Sequence, residues 1–90
     1  MPRYLIEQTF PERLNIPANA EGVQIVQAII GNDVLDSVTW IHSYVSADKR
    51  KTFCICDAPT PEAVRHAAQR NGLPVDRITE VRVLDPYFYL

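Results

Sequence analysis

Hydrophobic and polar positions alternate over residues 4–10, and aromatic and branched side chains dominate, so the pattern predicts a strand there. Pro11 stops it. A loop runs to Ala18, with Pro17 near its end. Val23, Val26, Ile30 and Val34 then recur at helical spacing, with Ile29 beside them. Asn19 is placed to cap this segment, because its side chain can accept a bond from a free first-turn amide. The spacing predicts a helix over 19–35, even though Gly22 and Gly31 each weaken it by up to ~1 kcal/mol relative to Ala. Residues 38–45 alternate most clearly. Ala47-Asp48-Lys49-Arg50 is a polar turn, and residues 51–57 form the second arm of a hairpin. Thr60-Pro61-Glu62 combines an N-cap, a proline at the first helical position and a first-turn acid. That helix ends at Gly72, with Pro74 two residues later. Residues 78–84 read as a last strand, and Pro86 breaks it before an apolar tail, Tyr87-Phe88-Tyr89-Leu90.

The order strand, helix, strand, strand, helix, strand fits one architecture over residues 1–90. Right-handed crossovers bring both helices onto one face of a four-stranded antiparallel sheet. This is the ferredoxin-like α+β fold, βαββαβ, with strand order 4-1-3-2. The helix-covered face must be apolar. Tyr4, Ile6, Phe10, Ile41, Val45, Phe53, Ile55, Val81 and Val83 suit it. Alternation then puts Leu5, Glu7, Thr9, Val38, Trp40, His42, Tyr44, Cys54, Cys56, Glu80, Arg82 and Leu84 on the uncovered face.

Composition narrows the functions. The formal charge of -2 offers no basic excess to neutralise a phosphate backbone, which argues against nucleic acid. No apolar run approaches the ~20 residues of a membrane span. The N-terminus leads directly into a strand pattern with no signal-peptide features. Cys54 and Cys56 sit ~6.5 Å apart if both are in one strand, too tight a loop for an unstrained disulfide. Two thiols without a staple suit a reducing compartment, so a cytoplasmic location is expected. A domain this small gains little from its own core. Its aromatic sheet face therefore points to self-association, as in dimers that stack two such sheets into an α+β barrel.

A three-residue hairpin loop, 47–49, sets His42 opposite Cys54, in a row with Glu7 and Glu80 across the sheet. A loop one residue longer reverses the parity and breaks that row. Imidazole and thiolate together suit borderline-soft metals such as Zn, Ni and Cu, and Glu7 adds a harder oxygen. The plainer reading is that His42 bonds within a dimer interface while the cysteines act as small buried hydrophobes. His66, on the second helix, is either a solvated histidine or a ligand at an outer site. Cys54-x-Cys56 lacks the spacing of a zinc knuckle. No Gly-rich loop follows a strand, so nucleophilic catalysis finds no oxyanion hole. A binding protein is expected rather than an enzyme.

Two stretches carry a family resemblance. One is Val38-Thr39-Trp40-Ile41-His42-Ser43-Tyr44-Val45-Ser46. The other is Phe53-Cys54-Ile55-Cys56-Asp57-Ala58-Pro59, continuing through Glu62-Ala63 to Gly72-Leu73-Pro74 and Ile78-Thr79-Glu80-Val81. With Tyr4-Leu5-Ile6-Glu7, they make nearly the whole chain resemble the small nickel-binding, nickel-responsive ferredoxin-like proteins of bacteria. The resemblance implies a homodimer that binds nickel or another divalent transition metal. It carries the ligand role first to His42 and Cys54, and then to Glu7. A histidine of the second helix in relatives falls where this chain has Ala67, so His66 is a candidate replacement. Cys56 and Asp57 also depart from the family pattern. The alternative is a dimeric α+β-barrel enzyme or small-ligand-binding protein. Its ligand would lie against Trp40, His42 and Tyr44, with Cys56 and Glu80 on the same face.

Overall fold

The structure, a computed structural model, describes residues 1–89; Leu90, the end of the expected tail, lies outside the described residues. The elements are β1 (Arg3–Thr9), α1 (Ala20–Val34), β2 (Thr39–Val45), β3 (Lys51–Asp57), α2 (Pro61–Asn71) and β4 (Arg77–Val81), followed by a short 3-10 turn at Pro86–Tyr89. The strands form one antiparallel sheet in the order β2-β3-β1-β4. This is the expected ferredoxin-like order read from the other edge.

Local chemistry accounts for both helices. Asn19 Oδ1 accepts from the Gly22 amide at 3.2 Å, as the cap of α1. Thr60 Oγ1 accepts from the Ala63 amide at 3.1 Å, and Pro61 opens α2 without an amide to satisfy. Gly72 closes α2 in the left-handed region at φ 67, where its lack of a Cβ removes the strain. Thr60→Ala leaves the Ala63 amide without its partner. It is expected to lower stability by about 1 kcal/mol, read as a shift in urea midpoint at unchanged slope.

The hairpin corrects the expected register. Its loop is 47–50, because Ser46 N donates to Lys51 O at 2.9 Å and Val45 pairs with Thr52. Asp48 Oδ1 accepts from Ser46 Oγ and from the Arg50 amide, and Lys49 takes φ 62. The extra residue shifts the parity, so His42 faces Ile55 and Ser43 faces Cys54. A bulge between Trp40 and His42 then restores the other phase, with Trp40 opposite Cys56.

The two sheet faces change accordingly. Cross-strand partners share a face, and Tyr4 and Ile6, both buried, pair with Cys56 and Cys54. Both cysteines therefore lie under the helices, contrary to expectation, while Phe53 and Ile55 lie on the uncovered face. Trp40 joins the cysteines. Val81 pairs with Arg3 on the uncovered face, and Glu80 pairs with Tyr4 on the other. Val83, Arg82 and Leu84 lie beyond the end of β4. His42, Tyr44, Leu5, Glu7 and Thr9 occupy the uncovered face as expected.

The core centres on Tyr4, Ile6, Val38, Cys56 and Ala58 with Val64 and Ala67 of α2. The inward stripe of α2 is Val64, Ala67 and Ala68. That of α1 is rotated: Val26, Ile29 and Asp33 face inward, while Val23, Ile30 and Val34 are exposed.

Candidate functional site

The uncovered face mixes apolar side chains with polar and charged ones. One row runs His42, Ile55, Leu5, Thr79; the next runs Tyr44, Phe53, Glu7, Arg77. His42 and Tyr44 point the same way from edge strand β2, and their rings meet edge to face at 5.2 Å between centroids. Tyr44, rather than Ser43, therefore buttresses the imidazole. Ser43 Oγ instead accepts from Trp40 Nε1 at 2.8 Å under the helices. Lys51 Nζ lies 6.0 Å from the Phe53 ring centroid. Arg3 and Asp57 form a two-bond pair at 2.8 and 3.2 Å, and the hydrogen-bonded guanidinium holds the Asp57 carboxyl below the usual range.

The expected metal row does not assemble within one copy. Cys54 is on the opposite side of the sheet from His42. Glu7 shares the face of His42 but stands two strands away, ~10 Å at the usual strand spacing. Glu80 lies across the sheet from Glu7, so these two acids do not share a proton. His66 is exposed on α2. Among the described residues, no three His, Cys, Asp or Glu side chains converge as a metal site. The ligand set expected from the sequence thus does not fit an ion held by one copy alone. The alternative ligand surface is also divided. His42 and Tyr44 face outward, whereas Trp40 and Cys56 face the helices and Glu80 is exposed on that same side.

A second feature was not foreseen. Between the sheet, the two helices and the 10–18 loop lies a cavity of about 630 Å³. The loop roofs one end, tied to the hairpin tip by Phe10 N→Arg50 O and Leu14 N→Lys49 O, both 2.7 Å. Ile6, Val26 and Ile29 supply apolar wall. At the loop end, Gln8 Oε1 accepts from Thr52 Oγ1 at 2.7 Å and from Cys54 Sγ at 3.3 Å. At the other end, buried Asp33 accepts from Asn71 Nδ2 at 3.0 Å, and Asn71 Oδ1 accepts from Asn32 at 2.8 Å. Burial raises the Asp33 carboxyl to about 6, opposed by the Asn71 bond and reinforced by Asp36. Burial also pushes the Cys56 thiol up to about 12, so it stays protonated at neutral pH and is no nucleophile. Sequence signals for this site exist in hindsight. Gln8 breaks the inward series begun by Tyr4 and Ile6, and Asp33 falls seven residues after Val26 on the packed stripe of α1.

No curated protein matches the chain. The crystal structure of SCO4226 from Streptomyces coelicolor A3(2) superposes with a TM-score of 0.72 at 18% identity, covering 92% of this chain and 99% of that one. That likeness shows the shared fold. The family described as nickel responsive protein SCO4226-like matches residues 4–81, which spans all four strands and both helices. The chain belongs to the SCO4226-like family of nickel responsive proteins.

Proposed function

We propose that the protein is a divalent-transition-metal binding protein of the nickel type that acts as a homodimer, with His42 as the first ligand. The observation that carries this reading is an exposed imidazole, braced by Tyr44, on a sheet face that one copy leaves uncovered. A neutral imidazole suits nickel, zinc and copper, and it needs other donors close by. Among the described residues of one copy, His42 belongs to no cluster of three such donors. A second copy stacked on the same face supplies another His42 and another Glu7. Face-to-face sheets pack ~10 Å apart, which lets two facing side chains meet at one ion. Burial of Leu5, Phe53, Ile55, Tyr44 and Val81 in such a stack favours the dimer independently of metal. Cys54 has no part in this set, because it points to the cavity under the helices, and His66 lies on the far side of the helix layer.

The test is calorimetric titration with nickel chloride, together with sedimentation velocity. His42→Ala is expected to weaken nickel binding at least tenfold, while Cys54→Ser leaves it unchanged. The unaltered protein is expected to sediment as a dimer. Nickel binding untouched by His42→Ala, or a monomer that binds nickel equally well, overturns the reading.

A further inference from the structure

The cavity under the helices stands apart from the His42 face, and its polar groups are arranged unlike those of a packed core. Its volume of about 630 Å³ lies within the ~300–1,000 Å³ range of small-molecule sites. Its middle is apolar, through Ile6, Val26 and Ile29. Its two ends are polar and lie far apart. Asp33 stands near Val38 and Cys56, level with Tyr4, and Gln8 is four residues further along β1, ~13 Å at the usual rise per residue.

Asp33 is the unusual group. It is 7% exposed, and among the described residues no cation lies within ion-pair distance of it. Its one side-chain partner is the neutral amide of Asn71. It also sits in the last turn of α1, where the helix dipole disfavours an anion and where the sequence provides no basic residue. Arg70 of α2, next to Asn71 in the chain, is engaged by Asp36 at 3.3 Å. Cys56 of β3 and Asp36 of the α1–β2 connection are the other titratable groups beside it, and neither carries positive charge. At the far end, Gln8 is 7% exposed; its Oε1 is used twice, and its amide nitrogen, which keeps some solvent contact, donates to no acceptor among the described residues.

We infer that this cavity binds a small hydrophobic amine. Its ammonium would pair with Asp33, its apolar body would lie along Ile6, Val26 and Ile29, and any distal acceptor would meet the Gln8 amide. Charge decides the class. A carboxylate ligand would add a second buried anion beside Asp33, and a neutral hydrocarbon would leave the existing one unpaired. A buried anion that receives a hydrogen-bonded cation in an apolar site gains far more than an exposed pair does.

Trp40 reports on this directly, since it is the sole tryptophan and lines the cavity. The experiment titrates the full chain at pH 7.5 with 4-phenylbutylamine, 4-phenylbutanol and 4-phenylbutyrate, following Trp40 emission and confirming by calorimetry. The amine is expected to bind saturably, at least tenfold more tightly than the alcohol or the acid. Asp33→Asn, which keeps the shape and the bond from Asn71, is expected to remove that preference and leave the alcohol unchanged. Ile29→Phe, which narrows the cavity, is expected to weaken all three, and circular dichroism verifies its fold. Equal binding of amine and acid, an amine preference that survives Asp33→Asn, or no saturable binding of the amine at millimolar concentration overturns the inference. Nickel binding at the opposite face is measured separately, so the failure of either reading leaves the other standing.

Discussion

Gly22→Ala is expected to destabilise the protein by about 3 kcal/mol or more, although alanine is the better helix former by ~1 kcal/mol. A Cβ on residue 22 would stand 1.6 Å from the Pro17 carbonyl oxygen, and no rotamer relieves it because the Cβ position is fixed by its own backbone and the oxygen is backbone. Either the 10–18 loop must lift or the first turn of α1 must tilt. The loop is tied to the hairpin tip through Leu14 N→Lys49 O, and its end contacts the helix whose cap is Asn19. Lifting it therefore disturbs a cap, a hairpin contact and the roof of the cavity together. For a domain of this size each kcal/mol lowers Tm by roughly 4–8 °C, so a fall of at least about 10 °C is expected. Gly31→Ala is the internal control. Nothing lies within 4 Å of its Cβ position, so the same substitution is expected to stabilise by about 0.5–1 kcal/mol. Urea unfolding of the two variants side by side decides the point. Equal effects would show that the loop and helix do not meet as described.

Asp33→Asn is expected to stabilise the protein at pH 8 by about 2 kcal/mol and to change little at about pH 3. The carboxyl of Asp33 titrates near 6 in the fold, against an ordinary value of 3.8. Well below its ordinary value of 3.8, at about pH 3 and lower, it is protonated in both the folded and the unfolded chain and has no effect on their balance. Between about pH 4 and pH 6 the folded state holds the proton and the unfolded state has lost it, so stability falls as pH rises. Above pH 6 the full penalty of a buried, unpaired anion is present. Asp57 and Asp48 act in the opposite sense, because hydrogen bonds from Arg3, and from Ser46 and the Arg50 amide, hold them below the usual range. Their contribution is lost on acidification, so the measurement is the difference between wild type and variant across pH. A difference that is flat with pH would place the Asp33 carboxyl in water. A buried anion retained against this penalty is what the proposed amine site requires.

The two substitutions differ in how far the sequence alone anticipates them. Gly22 reads there only as a weak point in a helix, since nothing local tells that Pro17 will cross it. Asp33 reads as a polar residue near a helix end, since its burial depends on which stripe of α1 turns inward. The apolar positions of α1 admit two stripes. One, Val23–Val26–Ile30–Val34, is the more regular in the sequence, but the side carrying Val26, Ile29 and Asp33 faces the sheet, leaving Val23, Ile30 and Val34 exposed. Packing against β2 and α2 made that choice, and no periodicity within the helix encodes it.

The element order, both helix caps, the Gly72 stop and the hairpin were legible because each depends on residues within a few positions of one another, and the ferredoxin-like strand order followed from that element order and the handedness of the crossovers. The inward stripe of α2 was legible for the same reason: Val64, Ala67 and Ala68 recur at helical spacing, and polar or charged residues dominate the other positions. The faces of the sheet were not. Alternation within a strand says which residues share a side, but only cross-strand pairing says which side of the neighbour they meet. Here one additional loop residue and one bulge moved Cys54 away from His42 and brought Trp40 under the helices. The sequence by itself therefore determined the fold and supplied the histidine, thiols and acids from which a site is made. Tertiary structure alone decided which of them share a space, since register is a property of two strands at once and a single residue reverses it.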